Sequence, residues 1–286
     1  MYRFELLITL LVILLTGFMI LAFEPRWVLV MLSAALAYGS LSNIVSARRL
    51  FFLASASPHS ALLAVVLSIP LARELGLLDE YGWAIALSIL LVYGVGYAIH
   101  RGSDPDTATA TFVALTASTS VLAIYYILTN YPLETDITAI IIGDPLLTRW
   151  NDVLYAISIG VFSIVCVLLT YRENVFIGID LDSARLTGLK TSAYNLLVFT
   201  LLALTTVGLL RIVGFVLEHV LILLPAAIAS SVAMSSRQAF FISIFSSIIA
   251  SMAGLYVAIL FNLSPAGTTG LILFIIYLIS LIASRR

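Results

Sequence analysis

The chain has 286 residues, of which 62% are hydrophobic and only 10% are charged, and its mean hydropathy is +1.15. This much apolar surface cannot be hidden in one soluble core, so composition excludes a soluble globular domain and indicates a polytopic membrane protein. The formal net charge of -1, with basic residues scattered through short connections, gives no basis for a nucleic-acid partner. A single cysteine, Cys166, excludes an intramolecular disulfide.

The membrane spans can be predicted from hydropathy, because about 20 apolar residues are needed to cross roughly 30 Å of hydrocarbon. The candidate spans are Phe4–Phe23, Trp27–Ala47, Phe51–Ala72, Gly82–Ile99, Thr107–Thr129, Asp152–Tyr171, Ser192–Leu210, Ile212–Met234, Phe240–Phe261 and Ala266–Ala283. We therefore predict an all-α fold, a transmembrane helical bundle of about ten spans (8 to 10) in one domain covering residues 1–286. Residues 1–24 are expected to form an extra N-terminal helix, since no small-residue cleavage site precedes Glu24.

The placement of arginine and lysine predicts the orientation, because positively charged loops stay on the cytoplasmic side. With the amino terminus inside, ten basic residues collect at the inner ends of the spans and four at the outer ends. The outer four are Arg26, Arg73, Arg149 and Arg211. Both termini are therefore expected to be cytoplasmic.

Two connections are too long to be simple turns. The outer connection, Asn130–Asn151, contains the apolar segment Ile137–Ile142, which is too short to span and suits a re-entrant or interfacial helix. The inner connection, residues 172–191, is predicted to hold a short helix that Asp180 or Asp182 caps and Gly188 ends. Such a helix on the cytoplasmic surface is a natural docking element.

Glu218 and His219 lie side by side within the apolar span Ile212–Met234. Ionisable side chains at bilayer depth cost roughly 2.5–3.5 kcal/mol each on insertion scales, so they usually face a cavity or a partner. A transport role for Glu218 competes with a structural pair that it would form with His219, His59 or Arg211. His59, on the third span, is a second candidate for a pathway residue.

No catalytic signature is present in the sequence: it lacks a phosphate-binding loop, a His-Glu-x-x-His pair and a Gly-x-Ser-x-Gly elbow. The protein is therefore not expected to be an enzyme. If transport uses ATP, a separate chain must hydrolyse it.

Five stretches occur in an order that is typical of one transporter family. They are Ser46–Leu63, with the basic pair Arg48-Arg49 and His59; Gly143-Asp144 followed by Asp152; Asp182-Ser-Ala184 with Gly188; Val213-Gly214 with Leu223–Ala227; and Ser264–Gly267. Together they resemble the membrane permease of zinc- and manganese-type ATP-binding-cassette importers, over about Trp27 to Ala283.

The resemblance implies a multi-pass permease of the plasma membrane, surrounded by lipids, that pairs with a second copy of itself. It also implies an ATP-binding-cassette ATPase subunit and an extracytoplasmic metal-binding protein as partners. The loop 172–191 would be the coupling region, with Ala184, Arg185, Gly188 and Lys190 contacting the ATPase. The divalent metal ion would be cargo moved by alternating access, with no permanently bound cofactor, and ATP would act only through the partner.

One departure from the family pattern concerns the metal site. The family usually has an aspartate four residues before its helix-borne histidine, and here that position is Ser55. Glu218 and His219 replace residues that are commonly small or apolar, so a carboxylate and an imidazole are supplied from another helix. We therefore expect His59, Glu218 and His219 to bind Zn²⁺, Mn²⁺ or Fe²⁺, although neighbouring helical residues point about 100° apart and only one of the pair need face the path.

Two other classes of protein are alternatives. An ATP-independent, proton-coupled secondary carrier would use Glu218 as its proton site, but the sequence has no clear inverted repeat of broken helices. A membrane-embedded metalloenzyme is disfavoured because no histidine pair has hydrolase spacing.

Overall fold

A computed structural model describes residues 2–131 and 143–284 of the chain. The helices are α1 (Tyr2–Ala22), α2 (Pro25–Ala47), α3 (Phe51–Leu75), α4 (Glu80–His100), α5 (Pro105–Asn130), α6 (Trp150–Ile179), α7 (Leu181–Leu186), α8 (Thr191–Val232), α9 (Ser236–Phe261) and α10 (Pro265–Ser284), with a 3₁₀ turn at Pro145–Leu147. The described residues contain no strand, which confirms the all-α prediction. The predicted re-entrant segment Ile137–Ile142 lies outside the described residues.

Eight of the helices in the described part are long and apolar enough to cross a membrane. Helix α1 has a shorter apolar stretch, Ile8–Ala22. The sequence predicted two spans, Ser192–Leu210 and Ile212–Met234, where the structure has the single 42-residue element α8. The polytopic helical bundle is thus confirmed, and eight spans lie within the predicted range of 8 to 10. The ten predicted segments become eight because α8 is a single element and because the apolar stretch of α1 is short.

Helix α8 consists of two arms that fold back on each other at Gly214, whose backbone (φ 82°, ψ 159°) is not helical. The Tyr38 hydroxyl lies 3.1 Å from the Thr205 carbonyl oxygen and 2.5 Å from Glu218 Oε1. A straight helix rises about 1.5 Å per residue and would hold residues 205 and 218 about 20 Å apart. The two arms therefore run in opposite directions, as the two predicted spans require.

The bundle has two ends that can be identified from contacts. At the end that we call the Gly143 end, a Cβ placed on Gly143 would lie 2.2 Å from the Gly214 Cα, so the two backbones touch. At the opposite end, which we call the α7 end, the Arg48 guanidinium donates a hydrogen bond to Asn195 Oδ1. The Tyr171 hydroxyl donates to the Ser236 carbonyl at 2.5 Å. The first arm of α8 thus starts at the α7 end, the chain turns at the Gly143 end, and the second arm returns to the α7 end.

Helix α2 is the central helix of the bundle, and its residues between Val28 and Val45 are almost all buried. It packs against α6, α8 and α9, while α3 packs against α4, α5 and the arms of α8. Small residues permit this close packing: a Cβ on Gly39 would lie 2.9 Å from the Ser247 Cβ on α9. Helix α2 therefore joins three of the long helices of the bundle.

Candidate functional site

Two histidines from different helices meet in the structure. His59 on α3 and His219 on the second arm of α8 have ring centroids 5.3 Å apart, with the ring planes at 83°. Phe215, one turn before His219, lies edge-on to both rings at 5.0 Å and 4.4 Å. All three rings are half-buried, so the pair can be reached from outside the single chain.

Helical spacing explains why these side chains share one place. Residues four apart on a helix point the same way, so Ser55 and His59 line one face of α3, and Phe215 and His219 line one face of α8. The break at Gly214 lies just before this second pair and begins the arm that carries it. The imidazole of His219 also lies beside the Ser55 carbonyl, which joins the two faces.

The orientation of His219 is fixed by a backbone hydrogen bond. Its Nδ1 lies 3.0 Å from the Phe215 carbonyl oxygen, and a carbonyl can only accept, so Nδ1 carries the proton. In the neutral ring Nε2 then keeps its lone pair, which is the arrangement that metal-binding histidines commonly use. This tautomer is compatible with His219 acting as a nitrogen ligand.

Glu218 does not join the histidines. Its side chain is fully buried and faces Tyr38 on α2, whose hydroxyl lies 2.5 Å from Oε1. The structural partners considered for it, His59, His219 and Arg211, are not its hydrogen-bond partners; Arg211 pairs with Glu80 at 3.1 Å. In the described part of the chain, no group of three or more His, Cys, Asp or Glu residues is placed to hold a metal ion. The expected convergence of His59, Glu218 and His219 is therefore reduced to the two histidines.

The Tyr38 hydroxyl explains the position of Glu218. It contacts two oxygens, the Thr205 carbonyl and Glu218 Oε1, but it has one proton to donate. The hydroxyl either shares this proton between the two oxygens or donates it to Thr205 while a protonated Glu218 donates to Tyr38. One signal for this partner was present in the sequence, since Tyr38 is the single tyrosine in an alanine-rich part of α2.

A second feature lies at the Gly143 end, where a cavity of about 490 Å³ opens. It is lined by residues of two of the recognised stretches, Gly143-Asp144 and Ser264-Pro265, together with Trp27. The Asp144 carboxylate accepts from the Leu146 backbone N–H at 2.9 Å, and the Trp27 indole donates to the Leu146 carbonyl at 2.8 Å. These stretches, distant in sequence, thus form one surface next to the turn in α8.

The predicted coupling region forms a short, capped helix, as expected. Asp180 accepts from the backbone N–H groups of Asp182 and Ser183 and from the Ser183 hydroxyl at 2.5 Å. These bonds, the hydroxyl bond above all, hold the pKa of the Asp180 carboxyl below its usual value of 3.8. Gly188 follows the helix with a φ of 85°, a backbone conformation that favours glycine.

The four predicted coupling residues are not placed alike. Arg185, Gly188 and Lys190 are exposed, but the Ala184 side chain is fully buried. Because a buried methyl group cannot reach a partner's surface, Ala184 anchors α7 to the bundle in this structure. The sequence analysis missed Leu186, which is 88% exposed next to Arg185.

Comparison with known proteins identifies the family. The model of the ABC 3 transport family matches residues 18–284. The chain is 23% identical over 273 residues to the manganese transport system membrane protein MntC of Listeria monocytogenes, covering 95% of this chain and 94% of that protein. It is 26% identical over 243 residues to the manganese import system permease protein ScaB of Streptococcus gordonii, covering 85% and 84%.

The fold is also that of a solved transporter. PsaBC from Streptococcus pneumoniae, solved in complex with a Fab, superposes with a TM-score of 0.77 at 22% identity, covering 90% of this chain and 91% of that one. The family match extends over nearly the whole chain, from within α1 to the end of α10. The chain therefore belongs to the ABC 3 transport family, as a multi-pass permease subunit of the plasma membrane whose ATPase is a separate partner.

Proposed function

We propose that this permease imports a divalent transition metal ion, manganese or a close neighbour such as zinc or iron, and that His59 and His219 bind the ion on its way. The observation that carries this proposal is the contact between the two imidazoles across α3 and α8. Both rings are only half-buried. The relatives named as manganese transporters support the choice of cargo.

Two imidazoles alone do not complete the coordination of a divalent transition metal, which takes four or more ligands. A second copy of the chain, related by a two-fold axis beside the half-buried faces of α3 and α8, would supply two further imidazoles. Such a four-nitrogen set suits zinc and iron, and manganese, which favours oxygen ligands, would need oxygen ligands in addition. The homodimer is therefore part of the proposal, because the single chain offers an incomplete site.

The remaining partners follow from the same proposal. An extracytoplasmic metal-binding protein would deliver the ion to the Gly143 end, where the 490 Å³ cavity opens. The ATPase would bind the α7 end through the exposed residues Arg185, Leu186, Gly188 and Lys190. Alternating access would then expose the histidine pair first to one side of the membrane and then to the other, with no permanently bound cofactor.

Reconstitution of the permease with its ATPase in vesicles tests the proposal. ATP-dependent uptake of Mn²⁺, Zn²⁺ and Fe²⁺ would be compared for the wild type, His59→Ala and His219→Ala, with His100→Ala as the matched control. We expect either site substitution to abolish uptake and the His100 substitution to preserve it. Undiminished uptake in both site variants would remove the histidines from the pathway, and uptake without ATP would favour the proton-coupled carrier.

A further inference from the structure

Arg48 connects the coupling region to the core of the bundle. It is the residue directly after α2, and its guanidinium donates to Asn174 Oδ1 on α6 at 2.8 Å and to Asn195 Oδ1 on α8. These two asparagines flank the coupling helix α7 on either side along the chain. We call Arg48, Asn174 and Asn195 the α7 clamp.

The clamp sits in a well-packed position. Asn174 is fully buried, and its amide nitrogen donates to the Thr170 carbonyl at 2.9 Å, so its oxygen is directed at Arg48. Near the clamp, a Cβ on Gly178 would lie 2.0 Å from the Ala47 carbonyl oxygen. The end of α6 and the end of α2 are therefore in direct backbone contact, one turn away from the start of α7.

Arg48 is also close in sequence to the start of α3, which carries His59. Only Arg48, Arg49 and Leu50 separate α2 from α3, and the Leu50 N–H donates back to the Val45 carbonyl at 2.8 Å. This tight connection makes the ends of the two helices one unit. A displacement of Arg48 is therefore passed to α3, which carries His59, and to α2, which contacts Glu218 through Tyr38.

We propose that Arg48 is the positioning residue that transmits movement of the coupling helix to the metal pathway. Its guanidinium is well suited to this role, because its fork of N–H donors reaches two acceptors on different helices at once. A lysine ammonium lacks that fixed geometry. Both acceptors are neutral amides, so the link holds without a buried ion pair. This inference rests on the proposed function, since it assigns Arg48 to the coupling step of that transport.

The first test compares Arg48→Ala with Arg49→Ala, which removes the neighbouring exposed arginine. ATP hydrolysis and metal uptake are measured on the same vesicles, and the ratio of ions taken up per ATP is calculated. We expect Arg48→Ala to lower this ratio by roughly 2- to 30-fold, while Arg49→Ala leaves it unchanged. An equal loss of hydrolysis and uptake, with an unchanged ratio, would overturn the proposal because it would indicate only a structural role.

Two further variants keep the test decisive if Arg48→Ala does not assemble. Asn195→Ala removes one acceptor but retains Arg48, and Arg48→Lys retains the charge without the fork. Both are expected to lower the ratio in the same direction, with co-purification of the ATPase confirming assembly. An unchanged ratio in either variant would contradict the clamp.

A second readout does not depend on the cargo. A spin label at Phe52→Cys, in a Cys166→Ser background, reports on the start of α3, where Phe52 is exposed. We expect ATP to change its spectrum in the otherwise wild-type complex and in Arg49→Ala, but not in Arg48→Ala. A label that responds in Arg48→Ala, or in no variant at all, would overturn the clamp. Wild-type complex that responds to ATP yet takes up no metal would instead contradict the proposed function.

Discussion

Thr205 and Glu218 contact the same Tyr38 hydroxyl, although they lie on opposite arms of α8. This shared contact fastens both arms to the central helix α2. It also separates the functions of two adjacent residues, since Glu218 faces the core while His219 faces His59. Glu218, a fully buried ionisable group, thus helps to hold the fold.

Substitution of Tyr38 tests whether this contact is structural. Tyr38→Phe leaves Glu218 buried without its only hydrogen-bond partner among the described residues, and a buried unsatisfied polar group costs about 1–3 kcal/mol. We therefore expect a lower melting temperature of the purified permease. Tyr93→Phe is the matched control, because Thr200 still donates to the Leu196 carbonyl at 2.7 Å after losing Tyr93. Equal melting of the two variants would contradict the structural assignment.

Glu218→Gln distinguishes the same structural function from a proton-coupled one. The glutamine amide can donate to Tyr38 as a protonated carboxyl does, while it cannot release a proton. We expect this variant to melt and to take up metal as the wild type does, and Glu218→Ala to be destabilised. Uptake that fails in Glu218→Gln, while assembly and melting are unchanged, would return Glu218 to the transport pathway.

Ser55→Asp is expected to change the selectivity of the histidine pair. Ser55 lies one turn before His59, and its hydroxyl donates to the Phe52 carbonyl at 2.7 Å. An aspartate there would add an oxygen ligand on the same face of α3, and oxygen ligands suit manganese better than imidazole does. The ratio of Mn²⁺ to Zn²⁺ uptake should rise in competition experiments. Ser57→Asp, at a buried position on a different face, should not raise it.

The glycines at the turn of α8 should be intolerant of substitution. Gly214 has φ 82° and ψ 159°, a backbone region that is essentially limited to glycine and costs other residues about 1–3 kcal/mol. Gly143→Ala places a Cβ 2.2 Å from the Gly214 Cα, where only backbone could move away. We expect both Gly143→Ala and Gly214→Ala to lower the melting temperature and to reduce uptake.

Gly94→Ala is the control for these two substitutions. Nothing lies within 4 Å of a Cβ at Gly94, inside α4, so alanine should be neutral or slightly stabilising there because it favours the helix. A similar effect of all three substitutions would show that the contact between Gly143 and Gly214 is not special.

The sequence predicted the spans well for a physical reason. A segment that crosses the membrane must hydrogen-bond every backbone polar group within itself, so it forms a long helix of apolar residues that hydropathy detects. The sequence also placed a boundary near Arg211, close to the turn in α8 that the structure locates at Gly214. The sequence predicted His59, Glu218 and His219 as one metal-binding set, and the structure brings only the two histidines together. The separate placement of Glu218 was not predicted, because helical periodicity shows that Glu218 and His219 diverge without showing which one faces a partner.

In the coupling region, too, some features could be predicted from the sequence and others could not. The cap at Asp180 and the end at Gly188 could be predicted from local chemistry, since both depend on residues adjacent in sequence. The burial of Ala184 could not, because it depends on how α7 packs against the distant bundle. The α7 clamp could not be predicted either, since its three residues lie in or directly after three separate helices.

Substitution of Asp180 should loosen the coupling helix without unfolding the bundle. Its carboxylate caps α7 through the backbone N–H groups of Asp182 and Ser183. A helix of only six residues is not stable by itself and depends on such a cap. We expect Asp180→Ala to increase amide hydrogen exchange in α7 at neutral pH and to lower uptake per ATP. Asp180→Asn should keep most of the protection, because asparagine is also a good cap.

The dependence on pH follows from the lowered pKa of Asp180. The folded chain binds the proton of this carboxyl more weakly than the unfolded chain does, so the stabilisation is fully present above the usual pKa of 3.8. It is lost only as the pH falls through the lower pKa of the folded state. Asp180 should therefore cause no change in uptake per ATP as the pH is varied across the neutral range. The pH profile of Asp180→Asn should match that of the wild type in this range. A neutral-range pH dependence that disappears in Asp180→Asn would contradict this assignment, since it would require the pKa of Asp180 to be raised.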